Sequence, residues 1–204
     1  MLKTERMDRV RAALRAQGLT QMIVCDPKSV WYLTGVAVEP YERLLALYLP
    51  TEGEPVLFLN RLFNVPEPPC RSVWHTDTDR PVAQIAEVVD AGRPLGIDKE
   101  WPAKFLIPLM ETHPGMQVVL SSDCVDDCRA CKDAEEQTLM REASRINDAV
   151  NEAAKHYIKA GMTEREVAEF IDAQFRAHGC EGPSFTTIVS FGANAADPHH
   201  EPDD

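Results

Sequence analysis

No run of apolar residues in this chain approaches the roughly 20 that a membrane-crossing helix needs, so no membrane association is expected. Positive charge is also scarce: 21 Lys and Arg stand against 33 Asp and Glu, a formal net charge of −12 over 204 residues. Nucleic-acid binding depends on basic patches that neutralise phosphates, and no basic stripe is present, so nucleic acid is not an expected partner. The opening MLKTERMDRV lacks the apolar core of a secretory signal, and a cytoplasmic protein is expected. The six cysteines then read as reduced thiols. Only Cys124, Cys128 and Cys131 cluster, and a fourth ligand at zinc or iron-sulfur spacing is missing.

What the chain does have is a globular composition, 44% apolar, and a length suited to one domain plus part of another. Its acidity is uneven. Residues 1–120 carry a net −2 and residues 121–204 a net −10, which marks a compositional boundary near Ser121. A solvated acidic helical face accounts for the second half more simply than a cation-seeking field does.

Met7, Val10, Ala13 and Leu14 recur at helical spacing before Gly18, and a short apolar strand follows at 22–25. Further strands are expected at 44–49, 56–59, 72–76, 95–98 and 117–120, with helices near 81–91 and 102–112. The link Pro50-Thr51-Glu52-Gly53-Glu54-Pro55 reads as a hairpin, so the sheet is mixed. Beyond the boundary the pattern turns helical. Asp133 with Glu136, and Thr163 with Glu166, are capping-box pairs at the start of two amphipathic helices. The first carries Leu139, Ala143, Ile146, Val150, Ala153 and Tyr157 on one stripe and is expected to end at Gly161. The second carries Val167, Phe170, Ile171 and Phe175 and ends at Gly179.

The end of the chain, SFTTIVSFGANAADPHHEPDD, says most about function. Thr187-Ile188-Val189 reads as a strand that delivers His199 and His200 to the mouth of a site. Successive side chains of an extended segment face opposite ways, so only one of the two histidines should act, and Asp203 and Asp204 should not chelate one metal together. A single neutral imidazole suits hydrogen bonding or proton transfer near pH 7.

Three stretches together resemble the pita-bread metallopeptidases, in particular Xaa-Pro dipeptidases (prolidases) and aminopeptidase P: DPKSVWYLTG at 26–35, CKDAEEQTLMREASRINDAV at 131–150, and SFTTIVSFGANAADPHHEP at the end. The resemblance implies an α/β (α+β) chain. A creatinase-like N-terminal domain with a mixed sheet would span residues 1–128, and the first helices and strand of a pita-bread catalytic domain residues 129–204. It also implies metal-dependent hydrolysis of Xaa-Pro peptide bonds with two divalent ions, manganese, cobalt or zinc, that activate water and polarise the carbonyl. His199 matches the family's substrate-contacting histidine. The family's metal ligands, two aspartates, a histidine and two glutamates, lie beyond the position of His199 and have no counterpart here, and no metal role passes to Asp203 or Asp204. The chain is therefore expected to be an inactive N-terminal fragment, loosely packed after about Gly192.

The same resemblance makes the loop VAVEPYER a neighbour of the partner subunit's site in a homodimer. Tyr41, Glu42 and Arg43 would then influence the choice of proline-containing peptide in trans, with Arg43 offering a fork to a carboxylate. A solvated loop is the plainer reading of these charges. Trp31 and Tyr32 are expected in the core, and His75, His113, His156 and His178, scattered singly, are expected to be structural or exposed. Two function classes remain open. One is a hydrolase, peptidase or creatinase-like; the other is a relative that binds peptides or partners without catalysis.

Overall fold

The structure, a computed structural model, describes residues 2–204, which divide into two compact units, Met1–Cys131 and Lys132–Asp204. In the first unit, α1 (Thr4–Ala16) buries Met7, Val10 and Leu14, one side chain per turn of the same face. β1 (Gln21–Val24) follows, fully buried. α2 (Pro27–Thr34) has clear local causes. The Asp26 carboxylate accepts hydrogen bonds from the Lys28 and Ser29 backbone amides, Pro27 occupies the first position, and Gly35 closes the helix in the left-handed conformation at φ 74°.

β2 (Ala46–Pro50) and β3 (Val56–Asn60) pair antiparallel across the Pro50–Pro55 link as the sequence suggests. β4 (Arg71–His75), α3 (Pro81–Ala86), β5 (Leu95–Ile97), α4 (Ala103–Thr112), β6 (Val118–Leu120) and α5 (Asp123–Ala130) complete the unit. The sheet order is β4-β3-β2-β1-β5-β6; β1 lies antiparallel to β2 and parallel to β5, so the sheet is mixed as expected.

Strand alternation sorts the core into two layers. Met22, Val24, Leu47, Leu49, Leu57 and Leu59 face α1, α2 and α5. Ile23, Ala46, Val56, Phe58, Leu95 and Ile97 face α3 and α4. At Gly96 a Cβ would collide with Ser121 Oγ and come within 3.3 Å of the Gln21 carbonyl oxygen, so only glycine lets β5 lie this close to its neighbours. Tyr32 joins the core, but Trp31 is 54% exposed, because the buried stripe of α2 is Val30, Leu33 and Thr34 and position 31 falls outside it. α5 packs against α1, which brings all of α5 into the first unit, three residues past the expected limit at 128.

The second unit is built on α6 (Ala134–Tyr157) and α7 (Glu164–Ala177). Both capping boxes form, Asp133 with Glu136 and Thr163 with Glu166. Tyr157 and Phe170 stack with ring centroids 3.8 Å apart, and Val150, Ala154, Val167 and Ala168 are buried. α6 stops at Tyr157, ahead of Gly161, which adopts φ 92° in the link that follows.

The expected terminal strand does not form. Residues 184–191 make no strand pairing, and a 3-10 turn, Gly192–Ala196, follows them. A strand exists only where a neighbour takes up its backbone groups, and every strand among the described residues belongs to the sheet of the first unit.

Candidate functional site

The segment after the 3-10 turn is a tight loop. The Asp197 backbone amide donates to Asn194 O at 3.0 Å, the His199 amide to Asp197 Oδ1 at 2.9 Å, and the His200 amide to Asp197 O at 3.3 Å. The turn separates the two histidines by other means than strand alternation. The His199 side chain is exposed and makes no hydrogen bond to a described residue. The His200 side chain is 19% exposed, and its Nε2 stands 2.7 Å from Glu164 Oε2. Because that oxygen belongs to an ionised carboxylate, Nε2 carries the proton and donates.

Glu164, the first residue of α7, is the centre of the arrangement and was not singled out from the sequence. Its side chain is 4% exposed. Oε1 accepts from the Phe191 amide at 2.5 Å and from Asn194 Nδ2 at 3.1 Å; Oε2 accepts from His200 Nε2 and from the Asp203 amide at 3.2 Å. The Phe191 amide is the main reason that its pKa is drawn down to about 2, and burial works in the opposite direction. The Asp203 amide, Asn194 and His200 add to the lowering. The one signal available in the sequence was an acidic residue at the first position of a helix, which helix-dipole preference alone explains.

The expected loose end after Gly192 is thus corrected: donors from Phe191 to Asp203 close on one buried carboxylate. The second unit also holds two clefts, of which only the smaller is bordered by this segment, at Glu201 and Pro202. An apolar one of about 640 Å³ is lined by Ile146, Ile171, Phe175, Phe185 and Ile188 among others. A smaller one of about 310 Å³ is bordered by Arg165, Asp172, Thr187 and Glu201. His199 lines neither.

Glu164, His200 and Asp203 also form the one group of three or more His, Cys, Asp or Glu among the described residues whose ligand atoms all come within 4.8 Å of one another. This group does not fit a pair of metal ions. Both Glu164 oxygens are taken up by protein donors, the His200 Nε2 proton occupies the position a metal would need, and no carboxylate is placed to bridge two ions. Cys124, Cys128 and Cys131 form no such group, and burial first of all raises the Cys124 thiol to about 11 and the Cys128 thiol above its ordinary value, which keeps both protonated.

Arg43 sits in the first unit, in a loop held by local contacts. Its Nε and Nη2 grip Asp77 at 3.0 Å each, and Nη1 reaches Glu42 at 2.8 Å. Asn60 Nδ2 supports Asp77 from behind at 2.8 Å. The hydrogen bond to Asp77 is the chief cause that holds the Arg43 guanidinium more firmly protonated than usual, and the same bond lowers the pKa of Asp77. These groups border a cleft of about 370 Å³ with the buried His75 and with Asp79. Tyr41, two residues earlier, is 80% exposed at φ 50°, a backbone state that non-glycine residues adopt at a cost. The fork of Arg43 is therefore already engaged, and a carboxylate ligand would have to displace Glu42.

Residues 6–131 match the Creatinase/Prolidase N-terminal domain family, nearly the whole of the first unit. The chain belongs to the creatinase/prolidase family. Residues 138–204 match metallopeptidase family M24. The chain is similar to the dipeptidase PepE of Mycobacterium ulcerans, with 29% identity and a TM-score of 0.86 over 98% of this chain and 56% of that one. It is similar to a recombinant prolidase from Thermococcus sibiricus at 26% identity and a TM-score of 0.87, over 100% and 57% respectively. An uncharacterised peptidase of Staphylococcus epidermidis shares 27% identity over 199 residues, 96% of this chain and 56% of its own length. The chain spans about half the length of the curated relatives it matches. The family match and these structures agree with the creatinase-like mixed-sheet architecture expected above, and among the described residues no helix is long and apolar enough to cross a membrane.

Proposed function

We propose that this chain is the N-terminal part of a metallopeptidase that hydrolyses Xaa-Pro dipeptides with two divalent ions, manganese, cobalt or zinc, in a cytoplasmic homodimer. The observation that carries the reading is the division of labour in the PHH segment. His200 is committed inward to Glu164, while the imidazole of His199 stands exposed on a braced turn. A fixed, exposed N–H donor is what the developing oxyanion of a peptide hydrolysis requires, and such a donor contributes on the order of a hundredfold or more in rate. The residues present do not make a dinuclear centre, so a full set of ligands must come from residues other than those described, and His199 acts beside that set as a substrate contact. Residues 36–43 lie near the partner subunit in this proposal, where Arg43 meets the substrate carboxylate by exchanging Glu42 for it.

The test is made on the full-length protein with Mn2+ and an Xaa-Pro dipeptide. His199→Ala lowers kcat about a hundredfold and leaves metal content unchanged. His200→Ala keeps its metal as well, and its loss of rate comes with loosening of the loop. Loss of bound metal on His199→Ala would make His199 a ligand; unchanged turnover would return it to the class of ordinary surface histidines. The 204-residue chain by itself should cleave no Xaa-Pro dipeptide with any added divalent ion, and measured cleavage would sink the incomplete-site reading.

A further inference from the structure

The loop that carries His199 is fastened on both sides to one carboxylate outside it. The donors to Glu164 come from Phe191, before the 3-10 turn; from Asn194, inside it; and from His200 and Asp203, one and four residues beyond His199. The neighbouring Arg165 repeats the attachment: its amide donates to Asp203 O at 3.1 Å and its Nε to Asp204 Oδ1 at 2.8 Å. A buried carboxylate is costly unless hydrogen bonds replace its water, and four donors do so here. The helix does not need this side chain for its own start, since Thr163 and Glu166 already cap α7.

We propose that Glu164 is a positioning residue: it clamps residues 191–203 to the first turn of α7 and thereby fixes where the His199 imidazole stands. The catalytic consequence rests on the peptidase reading above; the clamp rests on geometry alone. His200 is the nearest anchor, adjacent to His199 in the chain, so freeing it releases the backbone on one side of His199 at once. A divalent-ion site made of Glu164, His200 and Asp203 is the competing use of the same side chains. Asp203 Oδ2 lies 4.0 Å from His200 Nε2, and the proton on that nitrogen points at Glu164, which favours the clamp.

Three measurements decide. In the 204-residue chain, Glu164→Ala should speed amide hydrogen exchange at Phe191 and Asp203 about tenfold or more, while Glu164→Gln, which keeps an acceptor for Phe191 and Asn194, gives a smaller change at Phe191 than at Asp203. In the full-length protein, Glu164→Ala should lower kcat about tenfold to a hundredfold with KM changed less than about threefold, because misplacing a transition-state donor spares ground-state binding. Glu164→Gln should recover part of the loss. Val167→Ala, a buried change in the same helix that touches no loop donor, should lower the melting temperature and leave kcat unchanged. Unaltered exchange in Glu164→Ala, or a normal kcat despite faster exchange, overturns the proposal. So does stoichiometric Mn2+ binding by the 204-residue chain that His200→Ala abolishes. A full-length protein that cleaves no Xaa-Pro dipeptide removes the peptidase reading, and the exchange measurement still decides the clamp.

Discussion

At the scale of single residues, two buried carboxylates show how the same group is put to different uses. Asp98, just past β5, is buried and accepts the backbone amides of Cys25, Asp26 and Glu100. It ties the end of β1 and the start of α2 to the end of β5. Burial raises its pKa above the ordinary aspartate value, against the lowering effect of the three amides. Asp98→Ala leaves three amides without their acceptor in a packed region, and the expected loss is about 2–4 kcal/mol, read from the urea unfolding midpoint at constant m. A loss under about 0.5 kcal/mol would mean that water replaces the carboxylate. Glu164 is drawn the other way. That His199 and His200 would face different ways was expected from alternation, but a turn and not a strand separates them, and the choice of His199 over His200 rests on the resemblance of the PHHEP stretch to the family. Glu164 was not legible in the sequence, because its partners Phe191, Asn194, His200 and Asp203 lie 27, 30, 36 and 39 residues away, and no local pattern encodes such a meeting.

At the scale of elements, the clamp carries its own acid signature. A carboxylate whose pKa falls from 4.5 to about 2 on folding contributes to loop docking above pH 4.5, and that contribution is lost as pH falls through about 2. The groups that face it are His200 and Asp203, with Arg165 and Asp204 beside them. The amide resonances of Phe191 and Asp203 should therefore hold their positions from neutral pH to about 4 and shift only below about 3; in Glu164→Gln that step should be absent. Movement centred near 4.5 would show that the carboxylate is not held. Elements with two-ended signals were legible in the sequence: both capping boxes form where Asp133 with Glu136 and Thr163 with Glu166 announce them. α2 carried equally good signals in Asp26, Pro27 and Gly35, but at eight residues it is too short for periodicity to reveal. The Thr187-Ile188-Val189 run misled for a different reason. An apolar β-branched triplet states a preference for strand, and a strand forms only when a second strand lies alongside it.

At the scale of the whole molecule, the two units bury very different amounts of apolar surface. The two core layers on either face of the sheet lie wholly within residues 7–125, and both are closed by helices from the same stretch. In residues 132–204 the buried apolar side chains are Val150, Ala154, Val167 and Ala168, while Leu139, Met140, Phe185 and Phe191 remain exposed. Stability scales with the apolar area removed from water, so the first unit should fold on its own and the second should not hold a cooperative structure alone. The sequence made the first half of this visible, because alternating strands and helices with hairpin chemistry specify a sheet covered on both faces. Residues 1–131 expressed alone should give dispersed amide resonances and a single sharp thermal transition, within about 5 °C of the main transition of the 204-residue chain. Residues 132–204 alone should show helical circular dichroism that declines gradually on heating, because two helices with four buried apolar side chains lack a core to melt. An unfolded 1–131, or a sharp transition in 132–204, would mean that the stability of this chain is distributed across both units and not concentrated in the sheet.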